Sequence, residues 1–275
     1  MTDSHTIDAG NAAIPALGFG TARMTGDECR RAVAVALEAG YRHVDTAQLY
    51  DNEDAVGDAL AERPVPREDV FLVTKVDTDN LAREDVIEST RRSCERLGVE
   101  TIDLLLIHAP RDYAPLEETL DAMNDLQEEG RVDYIGVSNF SVAQLERARE
   151  LSATPIVANQ VKYHPYHRQD ELLSYCVDND VCLTAYSPLA EGAVVGDDRL
   201  EEIGERYDKS AAQVALRWLL QQPAVAAIPK AASRDHLEAN AEVFDFELSA
   251  DEMQAVFELT DPRLTARIAS ALGFD

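Results

Sequence analysis

The chain has 275 residues, 45% of them hydrophobic, and carries 52 acidic against 25 basic side chains, a formal charge of −27. That length suits two average domains or one barrel of roughly 250 residues, and the hydrophobic share excludes a disordered chain. The charge excludes nucleic acid and anionic membranes as partners, because such a surface repels both.

The opening stretch, "MTDSHTIDAGNAAIP", has no basic segment followed by an apolar one. No signal peptide is therefore expected, no apolar run reaches membrane-spanning length, and the cytoplasm is the expected compartment. Within it "HTIDAGNAA" reads as an N-terminal β-hairpin, and His5 is expected on a mobile terminus. A first strand candidate, "PALGF", precedes the helix pattern "DECRRAVAVALEAG", which Gly40 closes. The strand "YRHV" then leads through a polar connection to a helix that begins at Asn52. Next come "VFLVT", the helix "EDVIESTRRSCERLG" closed by Gly98, and the strands "IDLLLI" and "VDYIGV". The strands "PIVANQ", "VCLTAY" and "VAAIP" complete the set. Three helix starts carry a Ser-x-x-Gln/Glu box, at Ser141/Gln144, Ser210/Gln213 and Ser249/Glu252.

The order is eight strands, each followed by a helix pattern, with no linker or low-complexity tract between them. A parallel sheet with a strand about every 30 residues closes on itself at eight units. Residues 1–275 are thus expected to form a single (β/α)8 TIM barrel, its hairpin plugging the bottom. A doubly wound sheet is rejected, because "GFGTAR" puts Arg23 where a dinucleotide fingerprint needs its third glycine. Cys29, Cys94, Cys176 and Cys182 form no pairwise motif and read as reduced, mostly buried thiols.

In such barrels chemistry sits where the strands finish. The residues that end the apolar runs are Asp45, Lys75, His108, the pair Ser138 and Asn139, Gln160, Tyr186 and Lys230. Tyr50 lies on the connection just after Asp45. A phenol with a reference pKa of about 10 becomes a useful acid where a neighbouring ammonium stabilises its anion. That ammonium needs a carboxylate beside it to stay charged in a dry pocket. Tyr50, Lys75 and Asp45 can therefore act as donor, tuner and anchor, while His108 hydrogen-bonds an oxygen placed between it and Tyr50. The set suits carbonyl reduction, with the hydride brought by a bound cofactor.

Long ordered stretches carry a resemblance to the aldo-keto reductases, among them "GYRHVDTAQLYDNEDAVGDAL", "DLLLIHAP", "EEGRVDYIGVSNF", "NQVKYHPY", "AYSPLA" and "IPKAASRDHLEAN". The resemblance implies a four-residue active site on Asp45, Tyr50, Lys75 and His108. It also implies NADPH/NADP+ bound without a doubly wound domain. Ser138, Asn139 and Gln160 would hold the carboxamide, and Tyr186 would stack on the nicotinamide. Ser187 and Leu189, in the loop after "AYSPLA", would grip the phosphates together with Lys230. Ser233, Arg234, His236 and Asn240 complete the implied cofactor set.

The chain departs from the family pattern in three places. After Lys230 it has Ala231 for serine, His236 for an arginine, and Ala239 before Asn240. Histidine cannot reproduce the bidentate grip of arginine on a 2′-phosphate, so NADH/NAD+ is expected to be usable as well. Ala109 follows the histidine where an aromatic is common, and Ala22 stands where Trp or Tyr is frequent. The tail "DPRLTARIASALGFD" is short. A wide pocket with loose specificity for small aldehydes and ketones, dicarbonyls and keto-sugars included, is expected. "HPYH" (His164 to His167) invites a metal reading, but Pro165 disrupts helical spacing and no metal is expected. Tyr163 and Tyr166 read as structural. Of the 25 basic residues only Lys75, Lys162, Lys209 and Lys230 are lysine, a bias that with the acidic surface suggests a halophilic protein from a salt-rich cytoplasm. A monomer is expected. The rival functional class is a nicotinamide-binding redox sensor or regulatory barrel with little turnover.

Overall fold

The structure, a computed structural model, describes residues 5–62, 65–111 and 114–259. Strands β1 (Thr6–Ala9) and β2 (Ala12–Pro15) form an antiparallel hairpin. The chain then alternates through β3 (Phe19–Gly20), α1 (Gly26–Glu38), β4 (His43–Asp45), α2 (Glu53–Ala61), β5 (Phe71–Val76) and α3 (Arg83–Leu97). It continues through β6 (Ile102–Ile107), α4 (Leu116–Glu128), β7 (Val132–Ser138), α5 (Val142–Leu151), β8 (Ile156–Lys162) and α6 (Asp170–Asp178). Strand β9 (Cys182–Tyr186) is followed by two helices, α7 (Asp198–Glu205) and α8 (Ala211–Leu220). Strand β10 (Val225–Ala227) is followed by α9 (Arg234–Ala241) and α10 (Ala250–Phe257).

Strands β3 to β10 lie side by side in sequence order, all parallel. The ends of the sheet meet. Gly18 N–H donates to Ala227 O at 2.9 Å, Ala227 N–H to Ala16 O at 2.8 Å, and Gly20 N–H to Pro229 O at 3.1 Å. These bonds satisfy edges that an open sheet would expose, and they close the (β/α)8 barrel. The predicted strands "PALGF", "YRHV" and "VAAIP" are shorter in the structure, and the second is shifted to take in Asp45. Tyr41 leaves the strand because its hydroxyl donates to Leu237 O at 3.1 Å.

Strand alternation sorts the core. Leu72, Val44, Leu105, Ile107, Val137, Val161, Leu183 and Ala185 face the helices. Phe71, Val73, Leu104, Leu106, Cys182 and Ala226 face inward and cluster with Ala9, Ala12 and Ile14 of the hairpin. The hairpin therefore seals the end where the strands begin, as the sequence predicts. The helix ends also follow the sequence. Gly40 (φ 98°) and Gly98 (φ 66°) sit in the left-handed region. Tyr41 N–H returns to Ala36 O at 3.0 Å and Val99 N–H to Cys94 O at 3.0 Å, closing both helices in Schellman fashion. All three capping boxes form. His5 differs from expectation: its ring stacks on Phe244 with centroids 4.2 Å apart. No helix among the described residues is long and apolar enough to cross a membrane.

Candidate active site

The period of two that packs the barrel floor also aims its polar residues. On β5 the inward positions run Phe71, Val73, Lys75, and on β4 they run His43, Asp45. On β6 the series Leu104, Leu106 leads to His108, on β7 Gly136 leads to Ser138, and on β9 Cys182 and Thr184 lead to Tyr186. The β5, β6 and β9 series start on the apolar floor, and every series ends with a polar group. Tyr50 comes in from the side, at the end of the 3₁₀ turn Gln48–Tyr50 that follows β4.

These side chains touch in a chain. Asp45 is 2% exposed and Lys75 1%. Lys75 Nζ donates to Asp45 Oδ1 at 2.6 Å and to Thr46 O at 2.7 Å. The other carboxylate oxygen accepts from Gln160 Nε2 at 2.6 Å. The Lys75 ammonium lies 5.0 Å from the centroid of the Tyr50 ring. The Tyr50 and His108 rings meet edge to face, 5.7 Å between centroids and 85° between planes. Asn139 Nδ2 donates to His108 O and to Ser138 Oγ, both at 3.0 Å, and its Oδ1 accepts from Tyr186 OH at 3.0 Å. Ser138 Oγ donates to Gln160 O at 2.8 Å. Eight residues singled out from sequence thus form one connected patch.

Burial pushes the Tyr50 phenol above its ordinary value of 10.0; the Lys75 charge pulls it down without prevailing, and Asp45 adds to the rise. The expectation that Lys75 leaves the phenol a stronger acid than usual is therefore corrected: its pull is in that direction, but the loss of water outweighs it. Burial pulls the Lys75 ammonium down, yet the Asp45 charge, Tyr50 and their hydrogen bonds leave it above its ordinary 10.5. Burial and then the Lys75 charge lower the His108 imidazole below 6.5, with Asp45 and Asp77 opposing. Near neutral pH the patch holds a neutral phenol, an ammonium and a neutral imidazole.

The remaining predicted residues lie on the connections after β9 and β10 and on α9. Lys230 follows β10, is exposed, and makes no ion pair or side-chain hydrogen bond among the described residues. Ser233 caps α9 by accepting from His236 N–H at 3.3 Å. Arg234 is ion-paired with Glu38 and Glu238, His236 is exposed, and Asn240 is buried. Ser187 (φ 51°) and Leu189 lie in the connection after β9. Among the described residues no side-chain hydrogen bond or ion pair joins these residues to the first set.

Two features escape the sequence reading. Asn52 and Gln48 bind the two ends of the Tyr50 turn. Arg23, in the connection after β3, pairs with Glu191, in the connection after β9, at 3.3 Å. The tail "DPRLTARIASALGFD" lies outside the described residues. Tyr163 and Tyr166 are structural as expected: Tyr163 OH donates to Gln222 at 2.5 Å and Tyr166 OH to Asp197 at 2.8 Å. His164 and His167 form a bridged turn. All four cysteines are free and buried, and burial pushes Cys29 up to about 11 and Cys176 and Cys182 up to about 12. Such thiols are poor nucleophiles.

A methylglyoxal reductase DkgB of Escherichia coli O157:H7 is 35% identical over 250 residues, 90% of this chain and 93% of that protein. A glyoxal reductase of Bacillus subtilis is 38% identical over 244 residues, 88% of each chain. The crystal structure of a Bombyx mori aldo-keto reductase in complex with NADP superposes with a TM-score of 0.87 at 32% identity, covering 95% of this chain and 94% of that one. The sequence model of the Aldo/keto reductase family matches residues 16–261, and the chain belongs to that family.

Proposed function

We propose that the chain reduces the carbonyl of small aldehydes and ketones to an alcohol, with Tyr50 giving the proton. As a member of the aldo/keto reductase family it is an NAD(P)H-dependent oxidoreductase acting on carbonyl groups. The residues present suit that cofactor. Tyr186 offers a half-buried ring, Ser138, Asn139 and Gln160 cluster polar groups beside it, and Lys230 is an exposed ammonium with no ion pair among the described residues. Those are partners for a flat pyridine amide and for an anion.

Bound NADPH or NADH supplies the hydride that reaches the carbonyl carbon. The remaining work belongs to the side chains. As the C=O π pair withdraws onto oxygen, the Tyr50 O–H gives its proton to that oxygen, which is more basic than a phenolate even with the phenol's affinity raised by burial. Lys75, held charged by Asp45, stabilises the phenolate left behind until solvent reprotonates it. The buried Nδ1 of His108 meets no hydrogen-bond partner among the described residues; with its proton on Nε2 the neutral ring donates to the same carbonyl oxygen.

The convergence of Tyr50, Lys75, Asp45 and His108 carries this reading. Tyr50→Phe tests it: turnover should fall by several orders of magnitude while NADPH binding, followed by fluorescence, persists. A cofactor-holding sensor would be indifferent to the change. For substrates, the relatives named as methylglyoxal and glyoxal reductases point to small dicarbonyls, and Ala22 and Ala109, where the family often has aromatics, make the rim less aromatic. With Arg234 already engaged by Glu38 and Glu238 and His236 in place of arginine, NADH should serve beside NADPH. A ratio of kcat/KM values above about 100, or about 2.7 kcal/mol, in favour of NADPH would refute that. A single-domain, monomeric, cytoplasmic enzyme of a salt-rich cell completes the proposal.

A further inference from the structure

No regular element carries Tyr50 directly. It ends a single 3₁₀ turn whose backbone bonds are Tyr50 N–H to Ala47 O at 3.1 Å and Asp51 N–H to Gln48 O at 3.3 Å. The next residue, Asp51, lies in the left-handed region at φ 51°. So short a turn does not hold its own shape. Its position is set by what grips it from outside.

Asn52 is 2% exposed and spends its whole side chain on that grip. Its Oδ1 accepts from the Thr46 hydroxyl at 2.6 Å, and its Nδ2 donates to Thr21 O at 3.0 Å and to Met24 O at 2.9 Å. The first bond closes the Tyr50 loop on itself, and the other two dock it onto the connection after β3. Thr46 also gives its carbonyl to Lys75 Nζ, so the same clasp fixes the phenol and its neighbouring cation. At the other end Gln48 donates to Ser93 Oγ at 3.2 Å and accepts from Asp77 N–H at 3.0 Å and Asn80 Nδ2 at 3.1 Å. Among the described residues, the Asn52 end alone bonds both Thr46 and the connection after β3.

We propose that Asn52 is the positioning residue of the proton donor: its amide, closed on Thr46, Thr21 and Met24, holds the Tyr50 turn where the phenol meets Lys75 and His108. This rests on Tyr50 being the donor. Asn52 itself touches no reacting group. A carboxylate of the same size keeps the acceptor for Thr46 but cannot donate to two buried carbonyls.

The experiment compares Asn52→Asp, Asn52→Ala and Tyr50→Phe with the wild type. A displacement of about 1 Å costs about 100-fold in rate, so kcat should fall by about 10- to 100-fold in both Asn52 variants. The NADPH dissociation constant should not change, because none of the predicted cofactor residues bonds to Asn52. Tyrosinate difference titration, each variant against its Tyr50→Phe double, supplies a readout that loss of stability alone would not move. Burial raises the Tyr50 phenol in the wild type, so a released Tyr50 should titrate nearer its ordinary value. If Asn52→Asp does not fold, Thr46→Val removes only the hydroxyl from the clasp and should still lower kcat. Undiminished kcat in the Asn52 variants, or a lowered kcat with Tyr50 titrating as before, overturns the inference while leaving Tyr50 as donor. Full turnover in Tyr50→Phe overturns the donor assignment and this inference with it.

Discussion

Asp45 and Lys75 have no water to share their charges, and each depends on the other at 2.6 Å. Removing one partner of such a pair strands the other, which costs about 3–5 kcal/mol. Lys75→Met should therefore lower the unfolding free energy by about that much in urea titrations, since Gln160 alone remains on the Asp45 carboxylate. The same variant should lose most turnover, because the Tyr50 phenolate loses its cation. The pH dependence separates the two effects. The folded Lys75 value is raised above its ordinary 10.5, so its stabilisation is complete below that value and is lost as pH rises through the folded one. Wild-type stability should hold from neutral to mildly alkaline pH and then decline, and Lys75→Met should lack that component of the decline. Asp45, Lys75 and His108 were legible in the sequence because strand alternation aims whatever ends each inward series, and Tyr50 through its place on the connection just after Asp45. Asn52 and Gln48 were not, because their partners, such as Thr21, Ser93 and Asn80, are chosen by the folded path and follow no local period.

Helix α2 begins directly after the Tyr50 turn, so its packing bears on the site. Glu53, 2% exposed, accepts from Thr74 Oγ1 at 2.6 Å, from Ser93 Oγ at 3.2 Å and from Arg96 Nε at 2.9 Å. It joins α2 to α3 and to the outer face of β5. One turn further on, a Cβ on Gly57 would stand 2.5 Å from Arg96 O and 2.8 Å from Leu97 O. Those oxygens are backbone and cannot rotate aside. Gly57→Ala gains about 1 kcal/mol of helix propensity but incurs about 2–3 kcal/mol of overpacking. The variant should melt roughly 3–6 °C lower, and, by pushing α2 off α3, should lower kcat along with it. A variant as stable as the wild type would show that α2 has room to move. At this scale the capping boxes and glycine stops were readable because they are written within a few residues. The need for Gly57 was not, since it arises from the end of another helix. The offset of β4 was equally hidden: Tyr41 looks like a strand residue until Leu237, far along the chain, claims its hydroxyl.

Over the whole molecule the sequence order of the strands was enough to predict closure, because a parallel sheet wound in order has only its first and last strands left to pair. Charge is the other global property, and the sequence states it outright at −27. Exposed ion pairs do little to offset it. Arg91–Glu129 and Arg147–Glu150, both more than 40% exposed, are of a kind worth about 0–1 kcal/mol each. Those pairs weaken with salt, whereas the repulsion among the uncompensated carboxylates also weakens, and the second effect sums over the whole surface. The screening length shrinks from about 10 Å at 0.1 M to about 3 Å at 1 M, so charges that are not in contact stop sensing one another while contact pairs are screened least. Repulsion should therefore fade faster than contact pairing. Raising KCl from about 0.1 M to about 1 M should then raise the melting temperature by several degrees, with most of the gain at the low end. Sucrose at matched osmolality strengthens burial without screening and should not reproduce that early rise. A melting temperature that falls with KCl, or that follows sucrose and salt alike, would mean that the acidic surface carries no net self-repulsion and that the halophilic reading fails.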